Sequence, residues 1–288
     1  MTWASKHTVD VDGASIAYAE FGEGDPIVLL HGNPTSSFLW RNIAPQPADL
    51  GRVIVPDLPG MGDSEKLPGV DSDDYRFVAQ IEYLERLLQK LDVASRVTLV
   101  GHDWGSALAF DWARRHPDAI LGIAYAEGIV RPMSSQEWPA RQMFATLRGE
   151  QGETLALTEN ILIEKLLPYS TLRKLTEEEM AEFRRPFLRA GEDRRPLLTW
   201  TREMPLDGEP SDVVEILGAY ARWMEQSTVP KLFLNVEPGG ILVGAMRDYC
   251  RSWPHQTEVT VPGAHFVQED SPAEITEALR SWLIGIRG

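Results

Sequence analysis

Short, unbroken apolar runs alternate with turn-forming clusters through the first part of the chain. Ile16-Ala17-Tyr18, Ile27 to Leu30 and Arg52-Val53-Ile54-Val55 read as strands. The last two run straight into turns, His31-Gly32-Asn33-Pro34 and Asp57-Leu58-Pro59-Gly60-Met61-Gly62-Asp63-Ser64. Over residues 74–92 the period changes: Phe77, Val78, Ile81, Leu84, Leu87, Leu88 and Leu91 recur at helical spacing. Val97-Thr98-Leu99-Val100 is a further strand, followed by a glycine turn and a helix from about Ser106 to Arg115. After Pro117, Ile120 to Ala126 reads as another buried strand. Runs that are apolar throughout belong to strands buried on both faces, and helices between them imply a mainly parallel sheet covered on both sides.

The stretch from about Gly128 to Ser211 is different. It is rich in helical pattern and poor in strand pattern, with Thr176-Glu177-Glu178-Glu179 as a plausible helix start and large residues scattered among charged ones. Strand pattern resumes at Lys231 to Val236 and Glu258 to Val261, and Pro272 to Ile284 closes the chain as an amphipathic helix. The expectation is an α/β core of residues 1–128 and 212–288, interrupted by a helical cap over 129–211.

Composition narrows the partners more than the fold. With 28 Lys and Arg against 43 Asp and Glu, the net charge is −15, and nucleic acid is excluded for want of a basic face. The N-terminal residues do not read as a secretory signal, and no apolar run reaches the roughly 20 residues of a membrane span. A cytoplasmic protein with no membrane partner is expected, as a monomer or weak homo-oligomer. A single cysteine, Cys250, can build neither a disulfide nor a cysteine-based metal site, and reads as a small core residue in a helix over 246–253. Gly60-Met61-Gly62 lacks the third glycine of a dinucleotide fingerprint. No cofactor and no metal are implied.

The chemistry concentrates in Gly101-His102-Asp103-Trp104-Gly105, where a strand enters and a helix leaves. This is the setting of a nucleophile elbow: glycines two before and two after let the turn tighten and expose the central side chain. Serine is the usual occupant; here it is Asp103. Aspartate is also a good helix N-cap, but the paired glycines favour the nucleophile. A carboxylate is ionised at neutral pH, so it can displace a leaving group at an sp³ carbon without a base, forming an ester with the enzyme. Hydrolysis of that ester needs an activated water, hence a histidine and an acid to orient it. His265, in Pro262-Gly263-Ala264-His265-Phe266, is the one histidine between the final strand and the final helix, the position this architecture reserves for the base. Two acids are candidates: Glu127, ending one strand, and Glu237, ending another. The backbone N–H groups of Asn33 and Trp104 would form an oxyanion hole. Their side chains, both neutral N–H donors, suit a large, poorly hydrated anion. At about 1.5–3 kcal/mol per hydrogen bond to a charged group, the pair would accelerate halide departure by a factor on the order of 10² to 10⁴.

Taken together, the segments His31 to Ser37 with Leu39-Trp40-Arg41-Asn42, Asp57 to Ser64, Gly101 to Ala107 with Phe110 to Arg114, and Gly263 to Phe266 with Gln268-Glu269-Asp270 resemble a haloalkane dehalogenase of the α/β-hydrolase family, nearly end to end. The likeness is strongest to the subfamily of the hexachlorocyclohexane-degrading enzyme. It implies Glu127 as the acid, with Glu237 secondary, and Asn33 and Trp104 as the halide ligands. It further implies a cavity for a small halogenated alkane, between core and cap, lined by Trp138, Phe144, Leu162, Ser170, Trp200, Thr201, Ile241 and Phe266. Ser170 and Thr201 stand where a larger apolar residue or a proline is common, and Gly128 where alanine is common. The alternative is an epoxide hydrolase, which shares the Asp-Trp-Gly turn. That chemistry needs acidic hydroxyls, normally two cap tyrosines, and Tyr169 is the one tyrosine between Gly128 and Ser211.

Overall fold

The computed structural model describes residues 3–67 and 72–287. Eight strands form one sheet in the order β1-β2-β4-β3-β5-β6-β7-β8: β1 (Lys6–Val11), β2 (Ala14–Phe21), β3 (Pro26–Leu30), β4 (Arg52–Pro56), β5 (Val97–His102), β6 (Ile120–Ala126), β7 (Lys231–Pro238) and β8 (Gln256–Gly263). β1 and β2 pair antiparallel, β2 joins β4 antiparallel, and every pairing from β4 to β8 is parallel. The apolar runs are two-faced as their pattern requires. In β3, Val28 and Leu30 enter one core cluster and Ile27 and Leu29 the other; β4 divides Ile54 from Val53 and Val55 in the same way.

β1 is not evident in the apolar pattern. Four of the six residues of its sequence, Lys-His-Thr-Val-Asp-Val, are polar because it is an edge strand, and the signal was the turn: Asp12 and Gly13, both at positive φ, join it to β2. The other strands lie where the pattern puts them, within a few residues at each end.

Helix α1 (Phe77–Lys90) buries Phe77, Gln80, Leu84, Leu87 and Leu88 along one stripe. Helix α2 (Trp104–Arg115) is buried from Trp104 to Ala113 because it packs against the centre of the sheet. Between β6 and β7 all the described regular structure is helical apart from single bridges at Met133, Leu206 and Glu209. It includes α3 (Arg141–Arg148), α4 (Glu177–Arg184), α5 (Arg195–Arg202) and α6 (Ser211–Met224). The Thr176 start of α4 is a complete capping box with Glu179. After β7 come α7 (Ala245–Arg251), in which Cys250 is fully buried, and after β8 the closing helix α8 (Pro272–Arg287). Among the described residues no helix is long and apolar enough to cross a membrane.

Candidate active site

The chemical residues gather at the carboxyl ends of the parallel strands, where such sheets place their ligands. Asn33 follows β3, Asp103 follows β5, Glu127 follows β6, and His265 follows β8. Because β5 lies between β3 and β6, the loops carrying Asn33 and Glu127 flank the one carrying Asp103.

The turn at Asp103 is held in a conformation that most residues avoid, φ 52° and ψ −126°. Such strain costs on the order of 1–3 kcal/mol and persists only where the surroundings impose it. The surroundings here are tight. A Cβ on Gly105 would stand 2.2 Å from the Leu30 carbonyl oxygen, and one on Gly32 would stand 2.3 Å from Asp103 Oδ2. Although Asp103 occupies the N-cap position of α2, its carboxylate makes no capping bond. Instead its Oδ2 accepts from the Asn33 backbone N–H at 2.9 Å. Burial pushes the Asp103 carboxyl above the ordinary range; His265 and the backbone N–H groups of Trp104 and Asn33 act in the opposite direction.

Glu127, not Glu237, meets the histidine. Glu127 is fully buried, and its Oε2 lies 3.3 Å from His265 Nδ1. The same oxygen accepts from the N–H groups of Gly240 at 2.8 Å and Ile241 at 2.6 Å, while Oε1 accepts from Leu242 at 3.4 Å. Glu237 lies on the exposed end of β7, 3.5 Å from Arg247 Nη1. A Cβ on Gly240 would stand 2.8 Å from His265 Cβ and 3.0 Å from Glu127 Oε2, so the glycine is what lets acid and histidine meet.

Two further residues support the histidine. His102 Nε2 donates to the His265 carbonyl at 2.7 Å, with the rings 4.7 Å apart. Burial holds the His102 pKa far below the usual imidazole range, so the ring is neutral and uncharged beside His265. Asp270 Oδ2 accepts from the Ala264 N–H at 2.9 Å, and its Oδ1 accepts from the N–H groups of Leu172 and Arg173 at 2.8 and 3.0 Å. Through this one carboxylate, and through the Phe266 N–H donating to the Ser170 carbonyl, the histidine loop is fastened to the helical segment above it.

Asn33, Asp103, Trp104 and His265 open into one cavity of about 380 Å³, a size typical of small-molecule sites. Most of its wall is apolar and comes from the helical segment. Among the described residues no group of three or more His, Cys, Asp or Glu side chains is placed to hold a metal ion.

The profile of the alpha/beta hydrolase fold matches residues 25–272. A haloalkane dehalogenase of Sphingobium indicum is 50% identical over 287 residues, covering 99% of this chain and 97% of that protein. One from Mycolicibacterium smegmatis is 49% identical, covering 96% of this chain and 90% of its own. The crystal structure of the haloalkane dehalogenase DbeA from Bradyrhizobium elkani superposes with a TM-score of 0.93 at 40% identity, covering 98% of each chain. This chain belongs to the haloalkane dehalogenase family.

Within that family frame, the cavity wall differs in part from the sequence expectation. Trp138, Phe144, Leu162, Ser170, Thr201 and Ile241 line it; Trp200 and Phe266 do not. Adjacent residues of a helix point about 100° apart, so with Thr201 facing the cavity, Trp200 turns behind it. There its ring lies 4.9 Å from Trp104, whose other neighbour is Phe77 at 5.0 Å. Phe266 likewise lies behind the histidine, its ring 4.6 Å from His265 and 5.7 Å from His102. Both aromatics therefore support active-site rings rather than touch the cavity. The expected lining omitted Gln142, Met143, Leu166, Tyr169 and Met204, which also contribute to the wall. Leu162 and Leu166 share it because they are four apart in one helical turn, over residues 162–166, and so lie near the same face. Gly128 has a simple explanation: a Cβ there would stand 2.6 Å from the Ser106 Cβ.

Proposed function

We propose that this family member hydrolyses the carbon–halogen bond of small haloalkanes, with Asp103 as nucleophile, His265 as base, Glu127 as its acid, and Asn33 and Trp104 as halide ligands. Asp103 attacks the halogen-bearing carbon from behind. The carbon–oxygen bond forms as the carbon–halogen bond breaks, and the halide leaves with the bonding pair, toward the side-chain N–H groups of Asn33 and Trp104. With Oδ2 held by the Asn33 amide, Oδ1 is the attacking atom. His265 then takes a proton from water, and the resulting hydroxide adds to the carboxyl carbon of the ester. Negative charge on the carboxyl oxygen of that intermediate is met by the same two backbone amides. Expulsion of the alkoxide, with a proton, gives the alcohol and restores Asp103.

The observation that carries this reading is the contact of Glu127 with His265 beside a strained, amide-held carboxylate in a mostly apolar cavity. The helical segment over residues 129–211 acts as the cap that closes that cavity over the core. Opening an epoxide would instead need hydroxyl donors above Asp103. Tyr169, the tyrosine in the cavity wall, is 89% exposed, at the rim rather than over the carboxylate. The test pairs a screen of halide release across chloro-, bromo- and iodoalkanes, with an epoxide as control, with intact-mass measurement of His265→Phe. The variant is expected to keep the alkyl group from 1,2-dibromoethane as a mass increase. Full turnover by His265→Phe with an unmodified mass, or wild-type bromide release by Asp103→Ala, overturns the scheme.

A further inference from the structure

Thr201 adds a hydroxyl to a mostly apolar wall, yet that hydroxyl is engaged on both sides. Its O–H donates to the Leu197 carbonyl one turn earlier in α5, at 2.9 Å. Its oxygen accepts from Asn33 Nδ2 at 3.3 Å, and the same Nδ2 donates to the Leu197 carbonyl at 3.1 Å. The three distances close a triangle. Seen from Nδ2, the two acceptors therefore stand apart by about half of the roughly 120° that separates the N–H bonds of a planar amide. One N–H lies between both acceptors as a three-centre bond, and the other N–H is left outside their reach.

The oxygen end of the same carboxamide is unanchored, because Asn33 Oδ1 is buried without a hydrogen-bond partner. An anion in the cavity is attracted by a free N–H and repelled by a carbonyl oxygen. Which end of the Asn33 amide serves the cavity is thus decided by the acceptor pair on α5. We propose that Thr201 is a positioning residue for the halide: with the Leu197 carbonyl it clamps one N–H of Asn33, and so directs the other at the leaving anion. Thr201 then acts on leaving-group affinity through Asn33, without touching the substrate by its oxygen. This rests on the halide-binding role of Asn33 given above.

The experiment measures the bromide dissociation constant by quenching of tryptophan fluorescence in the wild type, Thr201→Val and Thr201→Ser, with thermal unfolding as a check on folding. Thr201→Val keeps the shape and removes the acceptor; its bromide dissociation constant should rise about three- to tenfold, the factor that one neutral hydrogen bond is worth. Thr201→Ser keeps the acceptor and should stay within about twofold of wild type. Unchanged or tighter binding by Thr201→Val, or weakening by Thr201→Ser equal to that of Val, overturns the proposal, as does a wild type that binds no bromide. The halide screen separates this from the functional reading. Haloalkane turnover with Thr201-independent bromide affinity removes only the clamp. Thr201-dependent bromide binding without turnover of any haloalkane removes only the hydrolase.

Discussion

Replacing Glu127 by glutamine removes a charge while leaving the shape of the site, and the structure says where the new amide would turn. Oε2 accepts from Gly240, Ile241 and His265, whereas Oε1 has one long bond, to Leu242 at 3.4 Å. The glutamine oxygen therefore takes the Oε2 position, and its NH2 faces the weakest of the four donors. Folding should be little affected. Catalysis should be affected in one step alone. Attack by Asp103 needs no proton transfer, so the first turnover releases halide normally. Ester hydrolysis makes His265 positive, and the buried carboxylate beside it is what favours that charge. Unit charges about 4 Å apart at an effective dielectric near 20 attract by about 4 kcal/mol. Because the backbone amides already draw charge from Oε2, about half to all of that is available to the imidazolium. The second step should slow by about 30- to 10³-fold. Rapid-quench measurement of bromide gives the test: one equivalent released at wild-type rate, then a slow steady state, with the alkyl ester visible by intact mass. Glu127→Leu is the contrast, since it leaves three buried N–H groups without acceptors at about 1–3 kcal/mol each, and should lose stability as well as turnover. Loss of the first-turnover burst in Glu127→Gln, or steady-state turnover at the wild-type rate, would show that Glu127 does not act through the histidine.

Two other outcomes follow from the same geometry. Burial raises the Asp103 pKa in the folded chain, so its ionisation opposes folding. That cost is absent below the unfolded pKa of about 3.9 and complete above the folded one. Asp103→Asn should therefore raise the melting temperature at pH 7, by about 2–4 °C per kcal/mol relieved. The gain should shrink as the pH is lowered toward 4; an equal gain at both pH values contradicts burial as the cause. Asn33→Ala should slow turnover of chloroalkanes by about 10- to 10²-fold, in line with one hydrogen bond to an anion, and of iodoalkanes by less, since iodide needs less help to leave. Equal slowing in a halide-release assay removes Asn33 from the leaving-group side.

Much of the site was legible because it is local. Gly101 to Gly105 encodes its own strand–turn–helix, and Asp103 is central within it whatever the rest of the chain does. The two-faced apolar runs of β3, β4 and β5 likewise declare a covered parallel sheet, because only burial on both sides tolerates them. What needed longer range was which strand ends stand together. Glu127 and Glu237 both lie at strand ends in acceptable sequence, and only the resemblance favoured the first. In the fold, Glu127 is buried on three backbone amides next to His265, while Glu237 faces solvent near Arg247.

The cavity wall shows the same limit at finer scale. Trp200 and Thr201 are neighbours in sequence, and one residue of helix separates a ring packed behind Trp104 from a hydroxyl that holds Asn33. The first strand went unread because its apolar residues, Val9 and Val11, are two among four polar ones at the sheet edge, too few to mark it. Sequence by itself determined the buried strands, the turn at Asp103 and the chain order of Asp103 and His265, since backbone propensity and burial period act over a few residues. Tertiary structure alone decided the environment of Glu127, the faces of the helices between β6 and β7, and the orientation of one amide. Those depend on contacts between residues more than a hundred positions apart, to which no local pattern responds.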